Sequence, residues 1–384
     1  MAAQWENFLE KWTRAGLIDP AAAERVRAYE AGQDKARGLR WPVLVAIALG
    51  GLLLGAGVLL FVAAHWEALS PAQRFALVLV MVAGFHGAAA FTAARFAALA
   101  AVLHAVGTVC LGAGIFLAGQ IFHLQEHWPG GVMLWAAGAW AAWALLRDWP
   151  QAALAAILTP AWLGGEWLVA TEGMRGAQPL MAAALLMLSI SYLTAITENE
   201  ASPVRKALAW IGGLTLIPAA ALVVTVGWGH YRSDLPLLPA YRTLGWTAAY
   251  LAPLVLSLTL RKKMAVVNIG AALWVAALSV SARWFYPYYG GPRFEWHHLL
   301  SYGLCGLGAV GLIAWGMMEA RRERVNLGIA GFALTVLSFY FSSLMDKLGR
   351  SASLIGLGVL FLAGGWLLEK TRRRLLVRIE GGRK

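Results

Sequence analysis

The sequence predicts an all-α fold: a polytopic transmembrane helix bundle of about twelve spans, preceded by a small cytoplasmic helical hairpin. Three observations carry that reading. The 384 residues are 60% hydrophobic and only 14% charged. An average soluble domain carries about 25% charged residues, so soluble cores cannot hide this much apolar surface. Apolar runs long enough to cross roughly 30 Å of hydrocarbon recur along the whole chain, each interrupted by Gly, Pro or charge. Finally, the basic residues alternate in phase with those runs. A net charge of +12 would mark a nucleic-acid footprint in a soluble protein. In a membrane protein basic residues set topology instead, and no nucleic-acid partner is expected.

Residues 1–40 come first. Trp5, Phe8, Leu9 and Trp12 recur at i, i+3, i+4 and i+7, one face of an amphipathic helix. Gly16 ends it, and Asp19 followed by Pro20 reads as an N-cap and first-turn proline opening a second helix through about Tyr29. Alone the hairpin is too small for a stable core. It is expected to lie on the inner membrane surface or to grip a cytoplasmic partner. The charge-rich head is longer than the leading region of a signal peptide, so the first span is expected to be a retained anchor.

The bundle proper covers residues 41–370, and a basic cytoplasmic tail follows at 371–384. The spans fall near 42–64, 73–91, 97–119, 130–146, 150–170, 178–196, 205–226, 242–259, 264–285, 297–318, 324–343 and 351–369. With the N-terminus inside, the outer segments hold only Arg74, Arg175, Arg232, Arg242, Arg283, Arg293, Lys347 and Arg350 of the 32 Lys and Arg residues. That bias obeys the positive-inside rule and puts both termini in the cytoplasm. Trp41, Trp66, Trp128, Trp149, Trp228, Trp296 and Trp366 fall at span ends, where indoles favour the headgroup layer. Glycines crowd several spans, as at Gly303, Gly306, Gly308 and Gly311, and such spacing lets helices approach closely in lipid. The two cysteines, Cys110 and Cys305, lie far apart inside apolar runs and read as buried thiols rather than a disulfide or a zinc site.

A set of local strings then becomes informative. The Trp-rich hairpin carries Ala15-Gly16-Leu17-Ile18-Asp19, and the first span ends Phe61-Val62-Ala63-Ala64-His65-Trp66 before Ser70-Pro71. The third closes with Gly112-Ala113-Gly114-Ile115-Phe116 and Gly119-Gln120-Ile121-Phe122-His123. Over roughly the first 170 residues the chain resembles the bacterial predicted-membrane-protein family catalogued as domain of unknown function 2157. The turn before Asn326 and Gly364-Gly365 before the basic tail are similar to that family's C-terminal end. The resemblance implies a multi-pass inner-membrane protein, sometimes encoded beside another membrane protein with a GDY-type motif. It implies no activity.

Polar residues that could carry chemistry concentrate in the outer segments. His65, Glu67, His123, Glu126, His127 and Glu166 form a candidate outer polar site. His123-Leu124-Gln125-Glu126-His127 fits the H-x-x-E-H string, which on a helix sets two imidazoles on one face as zinc ligands. Pro129 and Gly130 end any such helix at once, and no further carboxylate ligand follows. His123 and His127 are therefore weak metal candidates, no metal is assigned, and capping of span three is the preferred role. An acid at membrane depth such as Glu166 is a functional candidate, with snorkelling to the interface as the competing reading. His86 and His104 sit on oppositely running spans. A proton relay is one reading, and separate bonds to backbone carbonyls the preferred one. Arg283, Tyr286, Tyr288, Arg293, Trp296, His297 and His298 make an aromatic and basic loop able to stack on sugars or grip a lipid phosphate.

Three functions remain open. The first is transport or handling of a small molecule or lipid through the outer polar site, with membrane lipids as partners. The second is a non-catalytic subunit, scaffold or sensor, partnered by a neighbouring-gene membrane protein or a cytoplasmic protein on residues 1–40. The third is a membrane-embedded enzyme using the outer His and Glu residues. No catalytic residue is assigned, no cofactor is expected, and no G-x-x-x-x-G-K-[ST] string supports ATP-driven work by this chain.

Overall fold

The structure, a computed structural model, describes residues 11–36, 69–121, 127–196, 202–227, 235–260, 265–284 and 296–341, with isolated positions in the flanking apolar runs. Among the described residues the chain is helical apart from a short parallel ladder pairing Met174–Arg175 with Leu235–Pro236. It forms two compact units, Met1–Cys110 and Leu111–Lys384.

In the first unit a helical turn at 11–14 closes at Gly16, whose φ of +71 is a conformation that glycine adopts without strain. There the Leu17 N–H donates to the Trp12 carbonyl. The Asp19 carbonyl then accepts from Ala22 and Ala23, opening α1 (Pro20–Ala36). This helix runs well past Tyr29, where the sequence reading ends it. The good helix formers Gln33, Lys35 and Ala36 outweigh the ~1 kcal/mol cost of Gly32. Trp5 and Phe8 of the expected first helix lie outside the described residues. Next comes α2 (Pro71–Thr92), which opens on a capping box: Ser70 N–H donates to the Gln73 side chain and Gln73 N–H returns a bond to Ser70 Oγ. The turn through Arg95 leads into α3 (Ala97–Ile121), whose last residues belong to the second unit.

The second unit continues with α4 (Trp128–Leu146), α5 (Trp149–Ala170), α6 (Ala177–Leu193) and α7 (Pro203–Gly227). After these come α8 (Pro239–Trp246), a π-helical turn at Thr247–Leu251 and α9 (Ala252–Leu260), then α10 (Ala265–Trp284), α11 (Trp296–Met318) and α12 (Arg322–Phe339). Prolines open many of these helices because a first-turn N–H has no intrahelical acceptor, so proline's missing donor costs nothing there. The core helix is α6. Most of its residues are buried, since α5, α7, the α8–α9 segment and α10 all pack around it. Leu186, Met187, Val275 and Leu278 are fully enclosed. Small residues make this possible: at Gly212 of α7 an added Cβ would sit 2.5 Å from the Ser189 carbonyl oxygen of α6. α11 and α12 pair the same way on Gly316 and Gly328.

Six of the described helices, α2, α3, α4, α5, α7 and α11, are long and apolar enough to cross a membrane, while α6 and Val266–Ser281 of α10 are shorter apolar helices. Large apolar side chains cover their outsides, among them Phe91 at 92% exposure and Leu145 at 84%. A helix apolar all round needs lipid or protein on every side. The protein is a membrane protein with several such helices. Ten of the twelve expected spans coincide with helical segments, and the remaining two, 42–64 and 351–369, lie largely outside the described residues.

Candidate functional site

Of the six residues of the expected outer polar site, the structure brings two together. His127 is the N-cap of α4 but makes no capping bond with its side chain. The ring reaches across to the last turn of α5 instead, where Nε2 donates to Glu166 Oε2 at 2.6 Å. The indole of Trp162, one turn earlier, donates to Oε1 at 3.0 Å. The register comes from the α4–α5 hairpin. Arg147 terminates α4 in the left-handed conformation, and Asp148 caps α5 by accepting from Gln151 N–H. Gly165 then lets the Trp128 ring close in where a Cβ would meet it at 2.7 Å. Both carboxylate oxygens of Glu166 are thus engaged, and in the neutral imidazole the bond sets the His127 proton on Nε2 and leaves Nδ1 as an acceptor. The pair is half-exposed, at 52% and 37%. It staples the hairpin end and presents one imidazole nitrogen to the medium.

Replacing Glu166 by Gln keeps an acceptor for Trp162 and removes the carboxylate facing His127. The expected result is faster hydrogen exchange at the start of α4 and the end of α5 with an unchanged global melting temperature, read by exchange mass spectrometry.

His65, Glu67, His123 and Glu126 lie outside the described residues, as do Tyr286, Tyr288 and Arg293. Arg283 belongs to α10, and Trp296, His297 and His298 open α11, with their side chains outside the described set. Among the described residues no three His, Cys, Asp or Glu side chains gather as a metal site. His86 and His104 correct an expectation. Rather than bonding separate carbonyls, they bond each other, Nδ1 to Nδ1 at 2.8 Å.

Sequence reasoning missed a second cluster. Arg324, counted there as a topology charge, is 3% exposed. One arm donates to Glu319 Oε2 and the other to the Leu193 carbonyl at the end of α6, at 2.9 Å. The guanidinium lies 3.8 Å from the Trp315 ring centroid, and the Trp315 indole donates to Glu319 Oε1 at 2.8 Å. Arg205 donates to the Ala195 carbonyl at 3.0 Å. Two cations therefore cap the C-terminus of α6, where the helix dipole favours them. A signal was available in Trp162-x-x-x-Glu166 and Trp315-x-x-x-Glu319. In each, an indole one helical turn away holds one carboxylate oxygen, and the other oxygen takes a His or Arg from a different helix.

Between α6, α7, α10, α11 and α12 lies a cavity of about 650 Å³, lined by Ile190, Leu216, Ala220, Val224, Trp274, Cys305, Leu312, Leu327 and their neighbours. This volume is in the usual range of ~300–1,000 Å³ for ligand pockets. Four of the polar side chains in its wall are already bonded within the protein. Trp274 donates to the Leu304 carbonyl, Thr225 to Ala221 and Thr335 to Gly331, while Trp315 is spent on Glu319. At Gly270 and Gly311, both on the lining, an added Cβ would meet nothing within 4 Å.

Comparison with known proteins divides the chain at this point. Residues 10–152 match the family described as predicted membrane protein, domain of unknown function 2157. The family match takes in His86, His104 and His127, ends before Glu166, and leaves the whole lining of the cavity beyond it. No curated protein and no solved structure matches the chain.

Proposed function

We propose that this is a multi-pass inner-membrane protein, with both termini cytoplasmic, that binds and handles a lipid through its hydrocarbon chain. The observation that carries the reading is the apolar cavity among α6, α7, α10, α11 and α12. A wall made mostly of apolar side chains, with Trp274, Thr225, Thr335 and Trp315 already bonded, offers little to water or to a polar solute. The abundant apolar occupant at that depth is an acyl or isoprenoid chain. Lipid tails are as apolar as leucine, so a chain gains little by leaving the bilayer; shape and dispersion contacts with Trp274, Leu312 and Leu327 would select it. The charge bias of the sequence supports the orientation, and the engaged His127–Glu166 pair supports a stapled hairpin end more than a catalytic centre.

A test follows from the open glycines. Gly311 lies on the cavity lining and an added Cβ there meets nothing within 4 Å, so Gly311→Leu adds bulk at the cavity wall without displacing a neighbour at its first carbon. Native mass spectrometry of the purified full chain is expected to find a retained phospholipid on the wild type, with occupancy falling at least tenfold in Gly311→Leu at equal melting temperature. Equal lipid retention in both proteins would remove the cavity as the binding site. A second reading, a non-catalytic subunit joined to a neighbouring-gene membrane protein or through residues 1–40, is favoured by one feature: Trp12, Leu17 and Val26 of the N-terminal segment stay exposed.

A further inference from the structure

The first unit holds an arrangement that the lipid reading does not use. His86 of α2 and His104 of α3 face each other with Nδ1 atoms 2.8 Å apart, ring centroids 5.1 Å apart and ring planes tilted by 38°. Gly107 makes the room, since a Cβ there would fall 2.8 Å from the His86 ring. Thr108, one turn beyond His104, donates to the His104 carbonyl and is buried. His86 is six residues from the end of α2 and His104 seven from the start of α3, so both rings sit about 10 Å in from the connecting turn at 1.5 Å per residue. Both helices are candidate membrane spans, and an ionisable pair at that depth is costly unless it is used. The ionisable groups elsewhere on this hairpin are Arg74, Arg95 and Cys110; neither helix carries an Asp or Glu.

We propose that His86 and His104 form a single intramembrane proton site, which takes up one proton as a pair and can pass it from one helix to the other. An Nδ1–Nδ1 hydrogen bond requires one ring to donate and the other to accept. In the neutral pair, one ring therefore carries its proton on Nδ1 and its partner carries one on Nε2. An added proton binds the free Nε2 of the donating ring and makes it an imidazolium that keeps its Nδ1–H on the partner. That shared proton then crosses to the partner's Nδ1, and the partner releases its own Nε2 proton. One proton enters and one leaves, no heavy-atom bond changes, and the two rings end with exchanged tautomers. A second added proton would set two N–H groups head to head across 2.8 Å, so the pair holds one and not two while the bond persists.

The test is nitrogen-15 NMR of the full chain in lipid nanodiscs, with histidine rings labelled. His86→Asn and His104→Asn supply the assignments. The expected wild-type spectrum shows one ring as the Nδ1–H tautomer and the other as Nε2–H, a through-hydrogen-bond coupling between the two Nδ1 atoms, and uptake of one proton by the two rings on acidification. His104→Asn is expected to shift the His86 ring signals and abolish the coupling. Two rings in the same tautomer, independent protonation of both, or His86 signals indifferent to His104→Asn would overturn the proposal. The wild-type coupling and proton count stand even where a variant fails to fold.

Discussion

Arg324→Ala is expected to destabilise the protein by about 3–5 kcal/mol, the range for removing one partner of a buried ion pair. The Arg324 and Glu319 side chains are 4% and 6% exposed, so truncating the arginine takes the guanidinium from a buried carboxylate and from the Leu193 carbonyl. Glu319→Ala should cost a similar amount by stranding the cation. Arg324→Lys is not conservative here. One ammonium cannot supply the two-armed fork and the stacked face that meet Glu319, Leu193 and Trp315 together. Replacing both Arg324 and Glu319 by Leu removes both charges and is expected to recover much of the loss, because apolar residues of similar volume often match a buried pair. Thermal unfolding in lipid nanodiscs, followed by tryptophan fluorescence, reads all four variants. Equal stability of Arg324→Ala and wild type would show that the pair does not tie α6 to α11 and α12.

The second large effect is expected at Gly212. A Cβ there would lie 2.5 Å from the Ser189 oxygen and 2.6 Å from the Leu193 nitrogen. Both are backbone atoms of the most enclosed helix and cannot swing aside. Alanine in place of glycine gains roughly 1 kcal/mol of helix propensity, but overpacking a filled core costs ~1–3 kcal/mol, and a backbone clash belongs at or beyond the upper end. The clash therefore wins: Gly212→Ala should destabilise, and Gly212→Leu should prevent α6 and α7 from docking. The open lining glycines predict the reverse. Gly270→Ala and Gly311→Ala meet nothing within 4 Å and should leave the melting temperature unchanged or raised.

Helix positions were largely legible because their determinants are local. Ser70-Pro71, Pro129, Asp148 with Pro150, and Pro239 open helices close to where the apolar runs begin. The character of α6 was not legible. Its apolar run reads like any lipid-facing span, and its burial is imposed by the neighbouring helices packed around it, which periodicity does not report. The partnerships were hidden for a related reason. His127 and Glu166 were grouped by side of the membrane, yet their bond depends on the hairpin register set at Arg147 and Asp148. His86 and His104 were located, but their mutual bond depends on the room left by Gly107. Arg324 looked like a loop charge because it follows Glu319 across a tight turn. There Ala320 adopts a φ of +52 and folds the chain back, delivering the guanidinium onto Trp315.

The most direct test of the account is to illuminate the full chain in a bilayer that contains phospholipids with a photoreactive diazirine in the acyl tail, then map the adducts by mass spectrometry. The lipid-handling reading predicts saturable labelling at the cavity wall, at Trp274, Cys305 and Leu312, which Gly311→Leu suppresses. Labelling confined to the outward-facing Phe91, Leu145 and Leu214, unsaturable and unchanged in the variant, would mean that the cavity takes no lipid chain and would contradict the account.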